Sequence, residues 1–173
     1  MIRHARAGDL KYLQEVERAA GAPFRDVGMD MIADDEPPSV HDLATFQRAD
    51  RAWVYVDESD RPVAYLLVEV VDEHAHIEQV SVHPSHARRG IGRSLIDVAD
   101  GWARERGLAG LTLTTYAQVP WNAPYYERLG FRVLAEEDLT DGLRAIRKEE
   151  STRGLDTWPR VTMARPVDER AVR

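Results

Sequence analysis

The sequence predicts a single α/β (α+β) domain: a mixed, mostly antiparallel sheet of six to seven strands, flanked by helices. Three observations carry this expectation. Residues 52–82 hold three β-rich runs separated by short turn signals, the pattern of an antiparallel meander. From residue 90 onward, amphipathic helical segments alternate with further short strands. The chain has 173 residues, enough for one sizeable core and too few for two, so residues 1–173 are read as one domain.

The elements follow in order. Residues 2–5 are a short strand. In 9–20, Leu10, Leu13, Val16 and Ala20 fall near helical spacing and Gly21 supplies a stop. Residues 23–39 read as irregular, with Pro37-Pro38 as the clearest breaker. Ser39 caps a second helix that runs through Leu43 and Phe46 to about residue 49. Strands at 52–57, 63–71 and 76–82 are separated by turns at 58–62 and 72–73. The middle one is apolar on both faces, as a central strand should be. Ile91, Leu95, Ile96, Val98, Ala99, Trp102 and Ala103 form the stripe of an amphipathic helix over 90–106, ending at Gly107. A strand at 111–116 precedes a short helix, capped by Asn122 and stopped by Gly130. Strands at 131–134 and 161–164 bracket a polar segment, 138–153, read as a helical or loop excursion.

Composition narrows the function. Hydrophobic residues make up 43% and charged residues 31% of a chain with no cysteine, which excludes a disulfide scaffold, a thiolate nucleophile and cysteine-based metal sites. A formal charge of -7 argues against nucleic acid as a partner, because that affinity rests on a basic face. No run approaches the ~20 apolar residues of a membrane span, and the polar start predicts no signal peptide; a cytoplasmic location, away from membranes, is expected.

The most informative stretch is 77–96, where a strand runs through His83-Pro84 into Arg88-Arg89-Gly90-Ile91-Gly92-Arg93 and then a helix. A helix N-terminus presents free amides, its dipole favours anions, and glycine admits close approach, so the turn suits a pyrophosphate. The P-loop spacing is absent, and the dinucleotide fingerprint fails because Leu95 stands where its third glycine belongs. A glycine pair alone equally describes a helix end packed on a sheet. Pro84 and the three arginines shift the reading to anion binding.

The segment Val80-Ser81-Val82-His83-Pro84-Ser85-His86-Ala87-Arg88-Arg89-Gly90-Ile91-Gly92 resembles motif A of the GCN5-related N-acetyltransferase (GNAT) superfamily. Asn122-Ala123-Pro124-Tyr125-Tyr126-Glu127-Arg128-Leu129-Gly130-Phe131 resembles its motif B. The two occur in the family's order and usual separation, and the elements from 2 to 134 match its β-α-α-β-β-β-α-β-α-β layout. Ala87 departs from the Gln or Arg common at that place, and Asn122 lies closer to Tyr126 than in many members.

The resemblance implies two central parallel strands (77–82 and 111–116) that splay apart around acetyl-CoA as co-substrate, with no metal. It implies pantetheine pairing with the backbone of Val80, Ser81 and Val82, and pyrophosphate on Arg88, Arg89, Gly90, Ile91, Gly92 and Arg93. Tyr126 matches the general acid, Glu78 is the first candidate for a base acting through water, and Asn122 either touches the cofactor or caps its helix. The resemblance also implies a small-molecule or peptide amine acceptor and allows a homodimer.

Plainer readings stand beside each of these. Tyr126 and Tyr125 also fit simple packing of a short helix, and Glu78 an exposed strand carboxylate. His76 and His83 are alternative bases, since imidazole titrates nearer neutrality. His74-x-His76 lacks a third metal ligand and reads as surface histidines. Trp121 fits an acceptor channel or a staple onto the sheet, whereas Trp53, Trp102 and Tyr65 read as core. The acidic stretches holding Asp26, Asp30, Asp34, Asp35 and Glu36, and Glu149, Glu150 and Asp156, suggest a cationic acceptor or a solvated face. An acetyltransferase, a CoA-binding sensor without turnover and a scaffold lacking a CoA site are the three functional classes to separate.

Overall fold

Strand formation begins where β-branched and aromatic residues concentrate. In the computed structural model, which describes residues 1–168, β1 (Ile2–His4) pairs antiparallel with β2 (Ala52–Val56) through Ile2↔Tyr55 and His4↔Trp53. β2 pairs antiparallel with β3 (Pro62–Val71), Val54 opposite Tyr65. The turn between them is held by the Asp57 carboxylate, which accepts the amides of Ser59 and Arg61 at 2.8 and 3.1 Å. Val63 through Val68 are all buried, as expected for a strand covered on both faces. Asp72 and Glu73, both at positive φ, make the two-residue turn into β4 (His74–Val82). With β5 (Gly110–Tyr116), β6 (Arg132–Val133) and β7 (Arg160–Pro166), the sheet has seven strands in the order β1-β2-β3-β4-β5-β7-β6. It is mixed: β4 runs parallel to β5 and the other recorded ladders are antiparallel.

The chain divides into two compact units, residues 1–68 with 78–98, and residues 69–77 with those from 99 onward. In the first, α1 (Leu10–Gly21) buries Leu10, Leu13 and Val16, and α3 (Val40–Arg48) buries Leu43 and Ala44. Together they join Ala52, Val54, Val56, Tyr65 and Leu67 in one apolar cluster. Ser39 caps α3 as expected, its hydroxyl accepting the Asp42 amide at 3.1 Å. The intervening segment is more ordered than its sequence suggests. A 3-10 stretch ends at Gly28 (φ 77°) and leads into a single helical turn, α2 (Asp30–Ala33). Met29, only 2% exposed, anchors it. One turn is too short to show a period.

α4 (Ile91–Glu105) starts in the first unit, burying Ile91, Leu95 and Ile96, and ends in the second, burying Ala99, Trp102 and Ala103. In the second unit β4 joins β5 through Ala75↔Leu111 and His76↔Thr112, the parallel pair expected at the sheet's centre. β5 then pairs antiparallel with β7, from Leu111↔Arg165 to Tyr116↔Arg160, and β7 with β6. α5 (Ala123–Arg128) is the short helix after β5. The polar excursion resolves into α6 (Asp141–Thr152), capped by Thr140 and pinned by buried Leu143. Any side chain at Gly142 would have to displace Asp72 or Val71. The Gly142 amide donates to Asp72 Oδ2 at 2.6 Å, and a Cβ would stand 2.5 Å from that oxygen. Among the described residues no helix is long and apolar enough to cross a membrane.

Candidate functional site

In the first unit, β4 runs from exposed Glu78 through half-buried Val80 and Val82 into the glycine turn. A 3-10 turn, Pro84–His86, is fixed by His83: its Nδ1 accepts the Ser85 amide at 3.1 Å and lies 2.7 Å from the Ser85 hydroxyl. Two residues then take left-handed backbone, Arg88 at φ 62° and Gly90 at φ 75°, immediately before α4 begins at Ile91. Left-handed residues in a turn are a common ingredient of backbone concavities that bind anions, and the dipole of the helix that follows favours negative charge. Arg88, Arg89 and Arg93 are exposed around the turn. The Gly90 carbonyl is committed to α4, accepting the Ser94 amide and hydroxyl, both at 3.0 Å.

Gly90 therefore matters for conformation more than for space. A Cβ there meets nothing within 4 Å, so Gly90→Val leaves the core intact but strains the turn by about 1–3 kcal/mol. Relaxation of the turn misaligns its amides. The expected result is at least a tenfold rise in acetyl-CoA Kd, about 1.4 kcal/mol, by calorimetric titration.

The same strand carries a carboxylate cluster that sequence reading does not find. Ser81, 6% exposed, donates its hydroxyl to Glu17 Oε2 of α1 at 2.6 Å. The fully buried Tyr65 donates to the same oxygen at 2.5 Å, and Gln79 Nε2 reaches Glu17 Oε1 at 3.3 Å and Ser81 Oγ at 2.8 Å. Burial, together with the Glu17 charge, pushes the Tyr65 phenol well above its ordinary pKa, so it stays a donor. The available signal was Glu17 itself, seven residues after Leu10 and four after Leu13, hence on the edge of the helix's buried stripe.

In the second unit Tyr126 is 8% exposed. Its ring meets Phe131 and Tyr125 edge-on, with centroids 5.8 and 5.3 Å apart, and its amide donates to the Asn122 carbonyl at 3.0 Å. Asn122 occupies the cap position of α5, but its side chain makes no capping bond. Trp121 is partly exposed at 37%.

His76 is not a surface residue. It is 2% exposed, its Nδ1 lies 2.8 Å from the Thr112 hydroxyl, and burial lowers its pKa to about 4 despite the opposing pull of Glu150. Neutral throughout the physiological range, it makes a weak base for an ammonium. Among the described residues no group of three or more His, Asp or Glu could hold a metal.

The second acidic stretch also proves different from its sequence appearance. Glu150 accepts from Thr114 Oγ1 (2.5 Å), Arg147 (2.8 Å) and Arg160 (3.2 Å), and Asp156 pairs with Arg147 at 2.8 Å. The Arg160 guanidinium sits 4.4 Å from the Tyr116 ring centroid. Glu150 and Asp156 are thus neutralised internally, and Asp34 is paired with Arg25. Asp26, Asp30, Asp35 and Glu36 remain exposed.

The strand, left-handed basic turn and helix sit where the family pattern places them, and the wider comparison agrees. The family model for the Acetyltransferase (GNAT) family matches residues 13–131, spanning both motif segments. The chain belongs to the GNAT acetyltransferase family. A Bacillus subtilis protein named as an acetyltransferase is 28% identical over 82 residues, 47% of this chain and 54% of that protein. The chain thus spans about half the length of the curated relatives it matches, 54% and 61% of two Bacillus subtilis proteins. The ribosomal-protein-S18-alanine N-acetyltransferase from Escherichia coli is similar in fold, with a TM-score of 0.65 at 22% identity, over 97% of this chain and 94% of that one. The PaiA N-acetyltransferase from Thermoplasma acidophilum, solved in complex with coenzyme A, has a TM-score of 0.69 at 15% identity, over 96% and 98%.

Proposed function

We propose that this chain transfers an acetyl group from acetyl-CoA to a primary amine. The observation that carries the reading is the turn from Arg88 to Arg93, with left-handed backbone at Arg88 and Gly90 leading directly into α4. The free amides of a helix N-terminus and three exposed arginines fit a pyrophosphate. Backbone groups of Val80, Ser81 and Val82 take the pantetheine arm, and Asn122 is a further cofactor contact. The Ser81 hydroxyl is already committed to Glu17, so only its main chain serves the cofactor.

The neutral amine attacks the thioester carbonyl, forming C–N and breaking C–S. Glu78, through water, accepts the proton the amine loses, and Tyr126 donates one to the departing thiolate and regains it from solvent.

Two measurements test this. Saturating acetyl-CoA, at about 100 times its Kd, should stabilise the fold by ~2.7 kcal/mol and raise Tm accordingly. Thiol release should then appear with one or more of a panel of polyamines, aminoglycosides and peptide N-termini. No thermal shift sinks the cofactor site. A shift without thiol release across the panel replaces the enzyme with a CoA-binding sensor.

A further inference from the structure

The carboxylate of Glu17 has no place in the chemistry above, yet it is held as firmly as any group in the first unit. Three neutral donors converge on it: the Tyr65 phenol at 2.5 Å, the Ser81 hydroxyl at 2.6 Å and the Gln79 amide at 3.3 Å. Neither Tyr65, at 0% exposure, nor Ser81, at 6%, can swing away to solvent. Glu17 itself is half-buried. Arg61 is committed to Glu15, two residues before Glu17 on α1, at 3.0 Å. Among the described residues no Arg, Lys or His forms an ion pair with Glu17. Three other carboxylates are each compensated by arginine: Asp9 by Arg3, Asp100 by Arg104 and Arg165, and Glu150 by Arg147 and Arg160.

A half-buried carboxylate held only by neutral hydrogen bonds leaves the place of a cationic partner open, since buried charges are ordinarily paired. Its two oxygens are also unequal. Oε2 takes two short bonds, whereas Oε1 takes one long one and retains acceptor capacity. The direction of β4 says what passes nearby. With pyrophosphate at Arg88 to Arg93 and pantetheine along Val82 to Val80, the thioester end of the arm lies toward Gln79 and Glu78. Gln79 is the residue that touches Oε1.

We infer that Glu17 is the counter-charge for the acceptor: its Oε1 binds the substrate's ammonium beside the thioester, and Tyr65, Ser81 and Gln79 hold it in place. The inference rests on the acetyltransferase reading above and specifies its acceptor as a cationic amine bound through a carboxylate on α1. Glu78 keeps the role of base. The exposed carboxylates at Asp26, Asp30, Asp35 and Glu36 then contribute a diffuse negative field rather than a specific contact.

Glu17→Gln is the decisive variant, because its amide oxygen still accepts from Tyr65 and Ser81 while the charge is lost. With the panel amine that the wild type acetylates best, KM for the amine should rise about 10–100-fold, the value of a charge-assisted hydrogen bond of 1.5–3 kcal/mol. KM for acetyl-CoA should stay within about twofold, and Glu17→Asp should recover part of the loss. Calorimetric titration of the CoA-bound protein with the same amine gives a readout independent of turnover. If the CoA-bound wild type binds an amine without thiol release, the transferase reading falls, while loss of that binding in Glu17→Gln still upholds the ammonium site. An unchanged amine KM or Kd in Glu17→Gln, with or without a lower Tm, makes Glu17 a structural clamp and overturns the inference. So does a CoA-bound wild type that binds none of the panel.

Discussion

Tyr126→Phe should lower kcat by ~10²–10⁴-fold, the range of a positioned general acid, and leave the KM for acetyl-CoA nearly unchanged. Phenylalanine keeps the ring that packs edge-on against Phe131 and Tyr125, so the fold should lose little. Steady-state thiol release at saturating acetyl-CoA, with a Tm for each protein, separates the two roles the sequence leaves open. A residue that only packs would spare both Tm and kcat. An acid would move kcat and spare Tm. Unaltered turnover would assign protonation of the thiolate to solvent.

The elements legible in the sequence share one property: their signal lies within a few consecutive residues. The meander, the long stripe of α4, Ser39 as a cap and the glycine turn all declare themselves locally, and the structure keeps each of them. What escaped depends on residues far apart. Glu17 meets Tyr65 and Ser81 across 48 and 64 positions, and Thr114 meets Glu150 across 36. No window long enough to show a helix or strand contains such a pair. His76 was misplaced for a related reason. Its burial is set by pairing with Thr112 on a strand 36 residues later, whereas its neighbours His74 and Glu78 suggest a surface. The Asn122 cap failed locally: the backbone at that position (φ -112°, ψ -116°) departs from the extended form that aims a capping side chain at the first-turn amides.

The same long-range pairing sets the largest expected loss of stability. Glu150 is 12% exposed and Arg160 9%, with Arg147 at 21% on its other side. Glu150→Ala strips one carboxylate from two cations and leaves Thr114 without its 2.5 Å acceptor. Removing one partner of a buried pair costs 3–5 kcal/mol. About 3 kcal/mol is expected here, since Asp156 still faces Arg147 at 2.8 Å. For a chain of this size that is a Tm drop of roughly 6–12 °C.

The pH dependence gives a second check with a definite sign. Burial raises the Glu150 pKa, but the Arg160 charge and the hydrogen bonds from Thr114, Arg147 and Arg160 outweigh it and hold the carboxyl below its ordinary value. A depressed folded pKa means that Glu150 stabilises the protein fully above its unfolded pKa, about 4.3. The contribution fades as pH falls below that point and through the folded value. The Tm difference between wild type and Glu150→Ala should therefore be constant from about pH 6 to 8 and shrink below about pH 4. A difference that persists unchanged in acid would mean that α6 is held to β5 and β7 by packing of Leu143 and its neighbours, with the charges incidental.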